Sequence, residues 1–101
     1  MPFAELLARS FHLRHEAGLV GQGMARLLAW TEEEFLRYTE GSPIRRIGHV
    51  RWLRNLAVAA GNALRQSDDV ALRTALQARL THPSEVVRTH VQWALAQSAH
   101  G

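Results

Sequence analysis

The 101-residue sequence contains no cysteine, and this absence excludes several kinds of site. Without thiols the chain forms no disulfide, holds no metal through thiolates and has no cysteine nucleophile. Lysine is absent as well, so all twelve basic residues are arginine. GC-rich coding DNA would produce this bias. A second explanation is chemical, because guanidinium groups make forked contacts to phosphate and stack on bases. The composition alone therefore identifies no ligand.

Long hydrophobic runs are also missing. No apolar stretch approaches the roughly 20 residues that a transmembrane helix needs. The start of the chain, residues 2–7, lacks the basic region and the long apolar region of a signal peptide. We therefore expect a soluble, cytoplasmic and monomeric protein with no membrane partner. Its length fits one domain or a piece of a larger protein.

Strand patterns are the third absence, because β-branched residues are few and no segment alternates steadily between apolar and polar residues. The sequence predicts an all-α fold of about six helices over residues 1–101. Residues 1–30 would contain N-terminal helices and a linker. Residues 31–101 would form a helical region in which residues 50–60 resemble residues 86–96, an offset of 34 to 36 residues. This offset predicts a HEAT- or armadillo-like helical repeat in the C-terminal half.

The N-terminal part of the chain begins with a weakly specified helix, which we expect over residues 3–15. Gly18, Gly21 and Gly23 then mark a flexible connection. A new apolar segment begins after this connection, at Met24.

Two helix starts follow in close succession. Thr31, followed three residues later by Glu34, forms a capping box for a short helix over residues 32–39, which we expect to end at the next glycine. A second helix would then start with serine as its cap and proline in its first turn, Ser42-Pro43. Gly48 is expected to break or bend this helix, because glycine costs roughly 1 kcal/mol in a helix interior.

The clearest helical pattern covers residues 49–65, and two shorter helices follow. We expect the first over residues 70–80, capped by Ser67-Asp68-Asp69, and the second from the Ser84 cap to about residue 98. The apolar stripe of the long helix should form a core face: Leu53, Leu56, Ala57, Ala60 and Leu64. Polar residues fall within an arc of roughly 100° on its opposite side: Arg51, Arg54, Asn55, Asn62 and Arg65. The shorter helices should face inward through Leu72, Ala75, Leu76, Leu80, Val87, Val91, Ala94 and Leu95.

Positive charge is concentrated in residues 36–66, which carry six arginines and one acid, Glu40, and so have a net charge of about +5. The candidate phosphate-binding residues lie in this segment: Ser42, Arg45, Arg46, Arg51, Arg54 and Asn55. Exposed backbone N–H groups at the Ser42-Pro43 helix start would add to phosphate binding. Alternatively, the arginines form a solvated face or pair with acids of the preceding helix: Glu32, Glu33, Glu34 and Glu40.

The aromatic residues and histidines give weaker signals. Helical spacing next to apolar residues predicts that the three tryptophans are partly buried, and Trp52, which lies off the main stripe of its helix, is the best candidate for stacking on a base. His12 and His15 lie three residues apart, but no third metal ligand is evident nearby. We therefore expect no metal site, no bound cofactor and no catalytic residue in this chain.

Residues 28–97 resemble the C-terminal region of epoxyqueuosine reductase, a cobalamin-dependent iron–sulfur enzyme of tRNA queuosine biosynthesis. Three blocks of sequence carry the resemblance. They are Trp30-Thr31-Glu32-Glu33-Glu34-Phe35 with Gly41-Ser42-Pro43-Ile44-Arg45-Arg46-Ile47-Gly48, then Arg51-Trp52-Leu53-Arg54-Asn55-Leu56-Ala57-Val58-Ala59-Ala60-Gly61-Asn62, and His82-Pro83-Ser84 with Val87-Arg88-Thr89-His90-Val91-Gln92-Trp93-Ala94-Leu95. The middle block is long and specific, whereas many HEAT-like helices would match the last.

The resemblance implies a larger enzyme with an N-terminal cobalamin-binding region, a ferredoxin-like part holding two [4Fe–4S] clusters, and this helical region. Such an enzyme reduces the epoxide of epoxyqueuosine at the wobble position of the tRNA anticodon. This chain has no cysteine to ligate a cluster and nothing that resembles the cobalamin region. We therefore expect an excised C-terminal domain that does not catalyse the reaction.

Two functions from different classes remain open. In the first, the domain contacts the tRNA anticodon stem-loop through its arginines and is positioned against the N-terminal catalytic domains. In that setting the arginines face either the tRNA or the catalytic half. In the second, the chain is a helical-repeat scaffold that binds protein. An arginine face without carboxylate partners would favour RNA, and an exposed apolar groove would favour a protein partner.

Overall fold

The structure, a computed structural model, describes residues 17–98, and side chains from Gly23 onward. These residues form five α-helices and one 3-10 helix, with no strand among them, which confirms the predicted all-α class. The helices are α1 (Ala17–Ala29), α2 (Glu32–Tyr38), the 3-10 helix (Pro43–Ile47), α3 (Gly48–Gln66), α4 (Val70–Gln77) and α5 (Glu85–Ala96). The HEAT-like repeat stays a prediction, and the helix expected over residues 3–15 lies outside the described residues.

Helix α1 corrects the prediction of a flexible glycine connection, because it runs without interruption through Gly18, Gly21 and Gly23. Tertiary packing explains the difference. Met24 and Leu28 are 5% and 0% exposed, and α1 packs on α4 and α3. Burying two such side chains is worth several kcal/mol, which outweighs a cost of about 1 kcal/mol for each glycine.

The capping box before α2 is confirmed. The backbone N–H of Glu34 donates to Thr31 Oγ1 at 3.1 Å, and the backbone N–H of Thr31 donates to Glu34 Oε1 at 3.0 Å. Helix α2 buries Phe35 completely and ends at Tyr38, one residue before the predicted end. The chain then turns through Gly41, whose φ of +78° is accessible to glycine at little cost.

The helix predicted to start at Ser42-Pro43 is a single 3-10 turn that ends before Gly48. Gly48 has a φ of +82°, a left-handed value that prevents this turn from continuing directly into α3. The predicted break at Gly48 is therefore confirmed. The five residues between the two glycines form a short segment with its own direction, and it lies against α3.

Helix α3 is the centre of the core. All five residues of its predicted apolar stripe are buried, none more than 2% exposed: Leu53, Leu56, Ala57, Ala60 and Leu64. Gly61 is buried too, because the indole of Trp93 from α5 lies directly on it. A β-carbon added to Gly61 would collide with that ring and lie 3.0 Å from the Cα of Ala94. Glycine thus allows α3 and α5 to approach closely.

Helices α4 and α5 complete the core as predicted. Asp69 and Ser84 cap them by accepting the backbone N–H groups of Leu72 at 3.0 Å and Val87 at 3.4 Å. Helix α4 ends at Gln77, three residues before the predicted end, and continues as turns. The residues expected to face inward are fully buried or packed against the core: Leu72, Ala75, Leu76, Leu80, Val87, Val91, Ala94 and Leu95.

Candidate nucleic-acid interface

A shallow, open groove of about 700 Å³ lies between the end of α2 and the 3-10 helix. Three of the predicted phosphate-binding residues belong to its lining, which consists of Leu36, Gly41, Ser42, Pro43, Arg45 and Arg46. The guanidinium groups of Arg45 and Arg46 are on exposed side chains. The structure therefore brings together part of the candidate site, and we refer to this feature as the arginine groove.

Backbone amides do not contribute to the arginine groove as predicted. Pro43 has no N–H, the N–H of Ile44 donates to Ser42 Oγ at 3.2 Å, and the N–H of Arg45 donates to Ser42 O at 3.1 Å. The expected free N–H groups at this helix start are thus occupied by the serine cap. Ser42 keeps the hydrogen of its own hydroxyl as a donor. An anion in this groove would be held by guanidinium groups and that hydroxyl.

The other predicted residues lie on α3, outside the lining of the arginine groove. Arg51 is exposed, whereas Arg54 and Asn55 are half-buried and bonded to each other. The Arg54 guanidinium donates through Nε at 3.3 Å and Nη2 at 3.0 Å to Asn55 Oδ1. Asn55 therefore orients Arg54 and leaves Nη1 of that arginine available to another acceptor.

The arginines of the candidate site are not paired with the acids of α2. Within residues 23–98, whose side chains the structure describes, the single ion pair joins Arg73 Nε to Asp68 Oδ1 at 2.9 Å, at the start of α4. Glu34 is occupied by the capping box instead. The alternative of salt bridges from the cluster to Glu32, Glu33, Glu34 and Glu40 is therefore wrong. Arg45, Arg46 and Arg51 are exposed to solvent, and Arg54 is half-buried.

The structure corrects the choice of tryptophan. Trp52 is 3% exposed, stacks on Trp30 with ring centroids 5.6 Å apart and an interplanar angle of 9°, and contacts Phe35. It is a core residue, because the helix formed by residues 32–38 covers the side of α3 that the stripe left open. Trp93 on α5 is 39% exposed and is the most exposed of the three tryptophans.

A partly buried polar cluster, which the sequence did not predict, lies at the end of α1 and contains Arg79 and His49. Arg79 donates through Nε to Leu28 O at 2.8 Å and through Nη2 to Trp30 O at 2.7 Å. His49 Nε2 donates to the same Trp30 oxygen at 2.9 Å, which fixes the tautomer of the neutral ring. These groups satisfy carbonyls at the end of α1 that have no partner in that helix. About 50 residues separate Arg79 from its acceptors, so no local pattern reveals it.

Burial shifts the pKa values within this cluster. Desolvation lowers the pKa of His49 most strongly, and the charge of Arg79 lowers it further, while the bond to Trp30 and the charge of Glu32 act in the opposite direction. Desolvation also lowers the pKa of His82, with smaller contributions from the charges of Arg79, His49 and Arg88. Both imidazoles therefore favour the neutral form. The cluster stabilises the fold by donating hydrogen bonds to the carbonyls of Leu28 and Trp30.

Metal and cofactor ligands were tested against the available donor groups. In the described range, no three His, Asp or Glu side chains form a group that would hold a metal ion. His12 and His15, which the sequence did not favour as a metal site, lie outside that range. The chain supplies no thiolate to the iron–sulfur clusters that the resemblance implies. Among residues 17–98, no helix is both long and apolar enough to cross a bilayer.

Comparisons with curated proteins confirm the resemblance. The chain is 61% identical over 85 residues to "Epoxyqueuosine reductase" of Alicycliphilus denitrificans, a match covering 80% of this chain and 24% of that protein. It is 52% identical over 91 residues to the Pseudomonas aeruginosa protein of the same name, covering 90% and 23%. The corresponding protein of Escherichia coli is 53% identical over 75 residues, covering 73% and 18%. No protein-family model and no solved structure matches the chain.

These relatives are much longer than the chain. The matched region spans only about a fifth to a quarter of their length. The similarity therefore concerns one part of each relative and leaves the larger part without a counterpart in this chain.

Proposed function

We propose that this chain forms a helical, RNA-contacting part of an epoxyqueuosine reductase and has no chemistry of its own. Its arginines would bind phosphates of a tRNA anticodon stem-loop, the substrate that the resemblance implies. Catalysis, with the cobalamin and the two [4Fe–4S] clusters that the resemblance implies, would belong to other parts of the enzyme. High identity over most of this chain supports the assignment.

The observation that carries the RNA contact is the unpaired positive charge of the arginine groove and of α3. Arg45, Arg46 and Arg51 are exposed, and in the described part of the chain none of them forms an ion pair. A guanidinium without a carboxylate partner is available for forked contacts to phosphate oxygens. The position of Arg45 and Arg46 in one groove gives two such groups a common site.

The size of the charge limits the affinity. The whole chain has a net charge of only +3, and affinity for phosphate backbones depends on how many phosphates are neutralised. We therefore expect weak binding by this chain alone, with strong dependence on salt. Contacts of this kind position an RNA helix and read its shape more than its sequence.

The proposal that the chain performs no chemistry rests on its side chains. It has no cysteine for a cluster. The two described histidines with shifted pKa values, His49 and His82, belong to the cluster at the end of α1 and not to the arginine groove. The groove itself contains no acid, so it offers a surface for binding and no group for acid–base catalysis.

A second candidate function is supported by apolar exposure near the arginine groove. Leu36, which lines the groove, is 38% exposed, and Tyr38 on the same helix is 58% exposed. A surface that combines apolar side chains with arginines also suits a protein partner. In this alternative the segment would position the chain against the catalytic part of the enzyme, whose carboxylates would pair with Arg45 and Arg46.

The proposal is tested by titrating the chain with a queuosine-type tRNA anticodon stem-loop from about 50 mM to about 200 mM salt, the range over which phosphate contacts weaken most visibly. Heteronuclear NMR would follow residues 41–54. Shifts there, with affinity that falls as salt rises, are expected. Unchanged spectra in that segment would contradict the RNA contact and favour the positioning role.

Two variants make the titration specific. Arg45→Gln with Arg46→Gln removes both guanidinium groups of the groove and should weaken binding and reduce its salt dependence. Arg73→Gln removes one arginine that is bound to Asp68 and lies on α4, away from the groove. This control should bind nearly as the unchanged chain does. Equal losses in both variants would indicate a general charge effect and would contradict a defined site.

A further inference from the structure

A second groove lies between α3 and α5, and the proposed function does not yet use it. Its volume is about 340 Å³ and its lining consists of Val58, Thr89, His90 and Trp93. Both apolar members are accessible, since Val58 is 38% and Trp93 is 39% exposed. We refer to it as the tryptophan groove.

The α5 residues that line the tryptophan groove lie on one helical face, and Val86 extends this face by about one turn beyond the lining. Val86, Thr89, His90 and Trp93 have the spacing i, i+3, i+4 and i+7, which places them on one side of the helix. His90 Nδ1 donates to Val86 O at 2.8 Å, which leaves Nε2 of the neutral ring as an acceptor. The indole of Trp93 is held in place from below, because it lies on Gly61 of α3.

Two arginines of α3 share a helix face with Val58, although neither is part of the lining of the groove. Arg54, Val58, Gly61 and Arg65 have the spacing i, i+4, i+7 and i+11 and therefore share one face of α3. Arg54 precedes Val58 by one turn, and Arg65 follows Gly61, the residue under the tryptophan ring, by one turn. Helix α3 contains no acidic residue, and α5 contains one, Glu85, in its first turn.

This combination matches the chemistry of an unpaired nucleotide. A flat, anchored indole offers a surface for a base, and arginines on the same helix face offer contacts to the flanking phosphates. Thr89 and His90 add a hydroxyl and a ring nitrogen for hydrogen bonds with the edge of the base. An apolar protein segment would gain less from the two arginines, because no described acid of the groove balances their charge.

We infer that the tryptophan groove binds an unpaired RNA base, stacked on Trp93, whose neighbouring phosphates contact Arg54 and Arg65. This inference rests on the proposed function, since it requires that the chain bind RNA. It adds a base site to the phosphate contacts of the arginine groove. It also specifies that the RNA must present a single-stranded nucleotide, as a loop does.

The test compares short single-stranded RNA with the same RNA carrying abasic positions, both titrated into the full 101-residue chain. Trp93→Ala should weaken binding of the base-containing RNA about 5- to 150-fold, the range for loss of one stacked base, and should leave binding of abasic RNA unchanged. The slope of affinity against salt should stay the same, because no phosphate contact is removed. Trp93→Phe, which keeps an aromatic ring, should lose less.

Val86→Ala is the matched control, since Val86 is 47% exposed on the same face of α5 but does not line the groove. It should bind as the unchanged chain does. NMR of the indole N–H of Trp93, identified through Trp93→Phe, gives a result that does not depend on a variant folding. This signal should shift with base-containing RNA and not with abasic RNA.

The outcomes separate this inference from the proposed function. Full affinity of Trp93→Ala, together with loss of binding in Arg45→Gln/Arg46→Gln, would overturn the base site and leave the phosphate contacts in place. A Trp93 signal unmoved by RNA would overturn it too. Absence of RNA binding by the unchanged chain would contradict both proposals.

Discussion

The arginines of residues 45–54 and those of residues 73–88 have the same side chain but different surroundings. In the C-terminal region, Arg73 pairs with Asp68, Arg79 binds the carbonyls of Leu28 and Trp30, and Arg88 donates to the carbonyls of His82 and Pro83 at 2.6 and 2.9 Å. Among the arginines of residues 45–54, Arg54 is the one that has a side-chain hydrogen-bond partner within the described part of the chain, Asn55.

The difference shows what determines whether an arginine serves the fold or remains available. Helix ends leave carbonyl groups without partners, and Arg79 and Arg88 lie where such carbonyls are within reach. Arg45 and Arg46 lie in the last turn of the 3-10 helix and Arg51 lies in the first turn of α3, and in the described part of the chain none of the three forms an ion pair. Arg88 lies in the first turn of α5, as Arg51 does in α3. The acceptors within reach of the guanidinium group, and not its position along a helix, therefore separate structural arginines from candidate ligand-binding ones.

The largest loss of stability is expected from a substitution on the buried face of α3, and it gives a scale for the effects of the arginine variants. Leu56 is fully buried, so Leu56→Ala should lower the free energy of unfolding by about 2–5 kcal/mol through lost burial and the cavity left behind. Urea denaturation followed by circular dichroism measures the change. A loss below about 1 kcal/mol would show that the core around α3 is assigned wrongly.

The second largest loss of stability is expected when an arginine that binds backbone carbonyls is replaced. Arg79→Met keeps much of the aliphatic length but leaves the carbonyls of Leu28 and Trp30 short of donors, and we expect a loss of about 2–3 kcal/mol in the free energy of unfolding. Arg51→Met is the matched control on an exposed site and should change it by less than about 0.5 kcal/mol. Equal effects of the two substitutions in denaturant melts would remove the distinction between the two groups of arginines.

The free energy of unfolding should fall at acid pH because of the histidines near Arg79, His49 and His82. Because burial lowers the pKa values of His49 and His82 below the ordinary value of 6.5, the unfolded chain binds more protons than the folded one. The contribution of these two histidines to the free energy of unfolding is then fully present above pH 6.5, and it is lost progressively as the pH falls below that value. His49→Gln keeps a donor for Trp30 O and should flatten this dependence in thermal melts recorded at several pH values. If melting temperature depended on pH in the same way in His49→Gln and in the unchanged chain, a group other than His49 would be responsible for the dependence.

Charge reversal on the polar face of α3 should have the smallest effect on the free energy of unfolding. Arg51→Glu with Arg54→Glu should change the free energy of unfolding by about 0.5 kcal/mol or less, while it abolishes binding to the anticodon stem-loop. Differential scanning calorimetry and a binding titration on the same sample measure both quantities. A large loss of stability would mean that these arginines belong to the structural group after all.

Local features of the fold were predictable from the sequence, and distant contacts were not. The capping box at Thr31, the Asp69 and Ser84 caps and the stripe of α3 depend on residues within a turn or two of each other, so pattern alone identifies them. The path of α1 through its glycines depends on packing against α4. The burial of Trp52 depends on α2, and the role of Arg79 depends on a helix end about 50 residues away.

The same division applies to the candidate site. Charge density and the Ser42-Pro43 pair located the arginine groove in the sequence. The occupation of its amides by the serine cap follows from a turn geometry that residue types alone do not fix. The tryptophan groove needs two helices, because its floor is a glycine of α3 and its ring comes from α5. A sequence read one helix at a time shows Trp93 as a core candidate.

The three tryptophans differ in environment, so their fluorescence should differ as well. Trp30 and Trp52 stack against each other, and Trp52 lies in the core, whereas Trp93 is the most exposed of the three. Emission from Trp93 should therefore occur at longer wavelength than emission from Trp52, and a water-borne quencher should reach Trp93 first. The intrinsic fluorescence of the unlabelled chain thus reports separately on its interior and on the surface between α3 and α5.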